Sequence, residues 1–316
     1  MRSSEAIEAA ARSVSAKIKD YARNRGEDPM QVQRRFVLER FLARLSASGH
    51  AGSVALKGGM LLLALTGDQM RPTQDVDLHM DDGMDEATVA AFVAAVAGTP
   101  PPEEDGITFD VAGARLDGIM DGVMPGYRVR FEATLHTMPR PTRVPVRLDL
   151  AWGDTVLART VEIPPAIRGF TPVTVRAHSW ASVIAEKLHA MARHGVDTTR
   201  LKDFYDVAVL SREVRMPGAE LSAAVKETFL AWGATPVPPD LGCLSPSWAA
   251  EKEGEWKRFR QGKALKAGMG TLADAISEIR GIAIPVLAAV SAGVILEGEW
   301  VPGSGWEGIS PVAPAP

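Results

Sequence analysis

Arg71-Pro-Thr-Gln-Asp-Val-Asp-Leu78 carries two aspartates, Asp75 and Asp77, two residues apart on a segment that reads as a short strand. Successive strand side chains alternate, so both carboxylates share one face, about 6–7 Å apart along the chain. Carboxylate oxygens placed in this way hold hard divalent cations. Taken alone, the pair is weak evidence, and two solvated acids on an exposed strand face are the commoner case. What precedes it narrows the choice. Residues 53–56 read as another short strand, running into Lys57-Gly58-Gly59 and a compact apolar helix over 60–65 that stops at Gly67. Glycines there let backbone N–H groups approach an anion closely, and a helix N-terminus favours negative charge. The glycines alone also fit an ordinary strand-to-helix turn. A strand, a glycine turn, a helix and a second strand bearing the aspartates together form a phosphate-plus-metal arrangement.

Outward from this centre, Asp28-Pro29 predicts a helix start, with proline at the first helical position. Leu38, Phe41, Leu42 and Leu45 then follow the three-and-four spacing of a buried helical face, which Gly49 ends. On the other side, Thr99-Pro-Pro-Pro102 and the acidic residues after it read as a surface loop. Val129, Phe131, Ala133 and Leu135 alternate with polar residues, as on a half-buried strand, and residues 144–151 alternate in the same way. Pro164-Pro165 and Gly169 mark a boundary. Helices are expected over 179–194, closed by Gly195, and over 200–212, with a proline-rich loop at 236–246 and more helix to about residue 289. The expected organisation is α+β: N-terminal helices in 1–49, a mixed core in 50–169, a helical domain in 170–301 and a flexible tail in 302–316.

Composition bounds the class. The 316 residues suffice for about two domains. With 46% hydrophobic and 23% charged residues, the chain is neither disordered nor fibrous. A net charge of −4 neither requires nor forbids a nucleic-acid partner. One cysteine, Cys243, allows no internal disulfide, which fits a reducing compartment. The first twenty residues lack the apolar core of a secretory signal, and no apolar run reaches the roughly 20 residues of a membrane span. A cytoplasmic protein without a membrane partner is the expectation.

Three further groups carry chemistry. In Pro145-Val-Arg-Leu-Asp-Leu-Ala151, Asp149 and Arg147 share the polar face. Beside the paired aspartates, Asp149 would complete a three-carboxylate metal site and help activate an attacking hydroxyl; otherwise it pairs at the surface with Arg147 or a neighbour. Lys187 lies inside the apolar stripe of Trp180, Val183, Ile184, Leu188 and Met191. An inward lysine needs an anion, either a triphosphate or an internal aspartate, unless it snorkels from the stripe's edge. Asp203 and Asp206 lie on one helical face beside Val207 and Leu210, where Lys187 or a nucleotide would answer them, or Arg200 and Lys202 at the helix surface. Basic residues gather at Arg23, Arg25, Arg34, Arg35, Arg40 and Arg44, and at Lys257, Arg258, Arg260, Lys263 and Lys266 with Trp256 and Phe259 interleaved. Such mixtures suit RNA, and a solvated helix face as well. The six histidines include no H-x-x-x-H pair, Cys243 has no evident base, and neither a G-x-S-x-G elbow nor a Walker A loop is present.

The chain resembles the AbiEii/AbiGii-type nucleotidyltransferase toxins, which include the MenT toxins. The likeness lies in Arg40-Phe-Leu-Ala-Arg-Leu45, Leu56-Lys-Gly-Gly-Met-Leu-Leu-Leu63, Arg71-Pro-Thr-Gln-Asp-Val-Asp-Leu78, Val146-Arg-Leu-Asp-Leu150, Glu186-Lys-Leu-His-Ala190 and Arg200-Leu-Lys-Asp-Phe-Tyr-Asp206. It implies a polymerase-β-like nucleotidyltransferase core followed by a helical C-terminal domain. It further implies transfer of NMP from a magnesium-bound NTP to an acceptor, the 3′ end of tRNA, by the toxin of a toxin–antitoxin pair, with a cognate antitoxin as partner. By position, Asp75, Asp77 and Asp149 match the metal-binding acids, Lys187 the nucleotide-binding lysine, and Asp203 or Asp206 the later acid. Lys57, Gly58, Gly59, Arg71 and Thr73 are expected around the nucleotide, and Thr73 occupies a hydroxyl position that some members phosphorylate. The wider superfamily has Gly-Ser where this chain has Gly58-Gly59. Nucleotidylation of a protein side chain is the alternative within the class, and a non-catalytic nucleotide-binding module the alternative outside it.

Overall fold

The computed structural model describes residues 4–66, 73–121, 124–137, 139–153, 157–262, 269–309 and 311–312. The chain divides into two units, Met1–Gly153 with Ala158–Ala177, and Asp154–Leu157 with His178–Pro316.

The first unit opens with two helices, α1 (Ser4–Arg25) and α2 (Pro29–Ala47). Asp28 caps α2 by accepting from the Met30 amide, and Leu38, Phe41, Leu42 and Leu45 are buried, as their spacing predicts. Then come β1 (Val54–Lys57), α3 (Gly58–Thr66), β2 (Val76–Met80), α4 (Glu86–Gly98), β3 (Ile107–Asp121), β4 (Met124–Leu135), β5 (Thr142–Ala151), β6 (Ala158–Ile163) and β7 (Val173–His178). The seven strands form one mixed sheet in the order β3-β4-β5-β2-β1-β7-β6. Along β5, Val144, Val146, Leu148 and Leu150 are buried while Arg147 and Asp149 stay half-exposed. One face of the sheet therefore packs the core and the other carries charge.

Val89, Phe92, Val93 and Val96, the buried residues of α4, keep the three-and-four spacing of a helical face, whereas β3 carries little periodic signal. In β3 the register against β4 shifts between Asp110 and Arg115, and Gly113 and Gly118 interrupt the alternation. A bulge adds an unpaired residue, so the period of two is lost in sequence although the strand continues in space.

Of the acidic residues after Pro102, Glu104 is exposed as a surface loop predicts, but Asp105 is buried and Glu103 half-exposed. On α2, Arg40 and Arg44 are buried and not part of a cationic surface. Arg44 and Asp105 are 2% and 0% exposed, and form a two-bond fork at 2.7 and 3.1 Å. Arg40, also fully buried, bonds Glu39 at 2.5 Å and Glu103 at 3.1 Å. A buried guanidinium needs anions around it. The acids of this connection supply them, holding residues 103–105 against α2.

The second unit contains α5 (Trp180–His194), α6 (Leu201–Glu213), β8 (Met216–Pro217), α7 (Gly218–Ala231), α8 (Pro246–Gly262) and α9 (Leu272–Ser291). After them come β9 (Ile295–Leu296), β10 (Glu299–Val301), β11 (Gly305–Glu307) and β12 (Pro311–Val312). Ser179 caps α5 by accepting from the Ser182 amide, and Gly195 closes it at a φ of 55°. Within the stretch expected as a tail, β11 pairs with β10, and Trp306 Nε1 donates to the Gly281 and Ile282 carbonyls at 3.1 and 3.3 Å. Trp256 is fully buried, its Nε1 donating to the Gly270 carbonyl, so it is core and not a stacking surface for bases. Among the described residues no helix is long and apolar enough to cross a membrane.

Candidate active site

Strand register assembles the first group of chemical residues. Lys57 on β1 pairs with Asp77 on β2, Asp77 with Asp149 on β5, Asp149 with Arg128 on β4, and Arg128 with Asp117 on β3. Residues directly opposite on neighbouring strands share a face, so five strands present one lateral row of charge. Asp75 stands just ahead of β2, two residues from Asp77 on the same polar side. Ligand oxygens of Asp75, Asp77 and Asp149 all lie within 4.8 Å of one another, and all three residues are half-exposed.

Like charges directly opposite on adjacent strands destabilise a sheet unless a cation answers them. Here arginines do so. Arg128 grips Asp149 with a fork, Nε to Oδ1 at 2.8 Å and Nη2 to Oδ2 at 2.7 Å. The hydrogen bonds to Asp149 raise the Arg128 pKa against a lowering by burial, with further help from the charges of Asp149, Asp77 and Asp117. Arg147 donates through Nη2 to Asp75. The Thr73 hydroxyl lies 3.2 Å from both the carbonyl and Oδ1 of Asp75. Arg147 is therefore the partner of Asp75, while the partner of Asp149 comes from the neighbouring strand. Alternation along β4 already set Arg128 on its polar face; what no spacing could show was which residue of β5 it meets.

Gly58 fits this site for two reasons. Its φ is +67°, a conformation that side chains rarely adopt, and a Cβ built there would fall 1.9 Å from Asp77 Oδ2. The turn thus lets the start of α3 lie against the carboxylate. Gly59 follows as a buried residue of the first helical turn. Three converging carboxylates, with no sulfur or imidazole among them, suit a hard divalent cation. Arg71 lies outside the described residues, as do Lys263 and Lys266.

The second group lies in the second unit. Lys187 Nζ bonds Asp203 Oδ1 at 3.1 Å and Asp206 Oδ2 at 2.8 Å. Arg200 Nε adds a bond to Asp203 Oδ2 at 2.6 Å. Lys187 is 12% exposed, Asp203 3% and Asp206 0%, so the inward lysine is met by internal aspartates and does not snorkel. Burial works to raise the Asp203 carboxyl, but the charges of Lys187 and Arg200 outweigh it and hold the pKa at about 2. Cys243 is buried, which pushes its thiol up to about 11 and leaves it unreactive at neutral pH.

A glycine turn into a helix, an adjoining strand with two acids and a third acid on the parallel neighbour define a nucleotidyltransferase core of the α+β class. The chain belongs to the family described as "Nucleotidyl transferase AbiEii toxin, Type IV TA system", which matches residues 40–269. It is accordingly a nucleotidyltransferase toxin of a toxin–antitoxin system, with an NTP as substrate and a cognate antitoxin. No curated protein matches the chain.

Proposed function

We propose that this protein transfers an NMP group from a magnesium-bound NTP to the 3′ hydroxyl of an RNA, tRNA being the favoured acceptor. The observation that carries the reading is the convergence of Asp75, Asp77 and Asp149 within 4.8 Å beside Gly58. Magnesium held by these three carboxylates would neutralise charge on the triphosphate and on the leaving pyrophosphate.

The chain's own groups do the rest. Amides at the start of α3 face the anion, and Gly58 keeps that approach open. The acceptor hydroxyl forms a bond to the α-phosphorus, the bond to the pyrophosphate oxygen breaks, and pyrophosphate leaves. Asp149 is the carboxylate proposed to take the hydroxyl proton. Lys187 is proposed to bind phosphate, exchanging Asp203 and Asp206 for the nucleotide. Catalysis is then positioning plus electrostatic compensation.

Burial of Arg40 and Arg44 removes two of the six clustered N-terminal arginines from any RNA contact. Arg23, with a 75% exposed side chain, Arg25, Arg34 and Arg35 remain in the first unit, and Lys257 and Arg258 are exposed on α8 in the second. The test incubates the protein with each α-labelled NTP and total RNA, with magnesium or a chelator. Label should enter an RNA of tRNA size in a metal-dependent way, and Asp77→Asn should lower incorporation by about a hundredfold or more, the scale of losing a charge-stabilising group. Label in a protein band would move the acceptor to a side chain, and no transfer with any NTP would reduce the site to a binding module.

A further inference from the structure

Two of the three acids of the metal site are held by the chain's own arginines, and a lysine stands in register opposite the third. Lys57 stands opposite Asp77, Arg128 holds Asp149, and Arg147 holds Asp75. The formal charges of these six side chains cancel. Both oxygens of Asp149 accept from Arg128. Neither arginine is locked in. Their side chains are 31% and 37% exposed, and the buried Nε of Arg147 makes no hydrogen bond among the described residues. A planar guanidinium fork fits phosphate as well as carboxylate.

We propose that Arg128 and Arg147 are exchange cations: they hold the metal-site carboxylates until a nucleoside triphosphate takes the guanidiniums over. Divalent cation and triphosphate are then taken up together and not one by one. This rests on the nucleotidyl-transfer reading of the same site. The six side chains have no net formal charge to offer a divalent cation alone, and the guanidiniums repel one. With a triphosphate present, the arginines gain a second anion, release Asp149 and Asp75, and supply contacts to the phosphates. They are binding and positioning residues for the triphosphate, and their hold on the acids is what makes metal uptake depend on nucleotide.

A merely structural pair behaves differently on mutation. Manganese binding, read from the free-ion paramagnetic resonance signal without nucleotide, is measured for wild type, Arg128→Gln, Arg147→Gln and the double variant. Each Gln substitution should tighten manganese binding on the order of tenfold, the scale of removing one nearby unit charge at a half-exposed site. The same variants should raise KM for the NTP by a similar factor. Arg128→Lys, which keeps the charge and loses the fork, should leave manganese binding weak yet still raise KM. Manganese affinity unchanged or weakened in the Gln variants, with circular dichroism showing them folded, overturns the exchange. Wild type that binds neither manganese nor NTP under any combination overturns instead the nucleotidyl-transfer reading, so the two failures are told apart.

Discussion

Two arginine–aspartate forks in the first unit, one end-on through both Nη atoms and one side-on through Nε and Nη2, have similar bond lengths and opposite surroundings. Arg44–Asp105, between α2 and the connection to β3, has bonds of 2.7 and 3.1 Å and is almost wholly buried. Arg128–Asp149, on the polar face of the sheet, has bonds of 2.8 and 2.7 Å, with the two side chains 31% and 18% exposed. Bond lengths do not separate them; water does. Removing one partner of the buried fork leaves an uncompensated charge in the interior. Removing one partner of the open fork leaves a charge that solvent or a ligand can answer. The first pair is suited to holding a segment in place, and the second to changing partners.

The sharpest way to break this comparison is to cut the buried fork. Arg44→Ala should cost about 3–5 kcal/mol of unfolding free energy, the usual scale for stranding a buried ion. Arg44 Nη2 also holds the Ile107 carbonyl, so the loss should loosen the start of β3 as well. Urea unfolding reads the first effect, and amide exchange at residues 105–109 reads the second. A loss below about 1 kcal/mol would place the buried fork with the open one.

The ion cluster of the second unit gives an intermediate case, reached through pH. Asp203 is held at about 2 against an ordinary 3.8, by Lys187 and Arg200 acting against burial. A depressed carboxyl contributes stability that is present above about pH 4 and is lost as pH falls through the folded value near 2. The shift corresponds to roughly 2 kcal/mol at about 1.4 kcal/mol per unit. Unfolding free energy measured from pH 5 downward should therefore decline in that window, and Asp203→Asn should flatten the decline. An unchanged slope would show that other groups dominate the acid response.

The smallest effect belongs to the open fork. Arg128→Ala should change unfolding free energy by less than about 1 kcal/mol, as is usual for partly exposed pairs. The contrast with Arg44→Ala, made on the same denaturation axis, sharpens the division between a holding fork and an exchanging one. A loss as large as that of Arg44→Ala would erase it.

Much of the site was legible before any coordinates. The period of two along residues 144–150 put Asp149 on the polar face, and burial along β5 follows that pattern residue by residue. The helical phase of Lys187 pointed inward, and the lysine is found between Asp203 and Asp206. Two members of the basic N-terminal cluster misled, because a run of arginines on a helix looks the same whether it faces water or a buried acid. Arg40 and Arg44 differ from Arg34 only in what lies opposite, and Glu103 and Asp105 are about sixty residues away in the chain.

The sequence alone determined the class of the core: a glycine turn, two acids at strand spacing and a third on an alternating strand are local patterns, set by backbone periods of 2 and 3.6. Local chemistry also determined the caps, since Asp28 and Ser179 act on amides within three residues. The partners were decided only by tertiary structure. Which arginine meets Asp149, which acid answers Arg44, and how near Gly58 comes to Asp77 all depend on strand register and on contacts between distant segments. A charge carries no record of its partner in the chain, and its role follows from the burial and the neighbours that folding assigns to it.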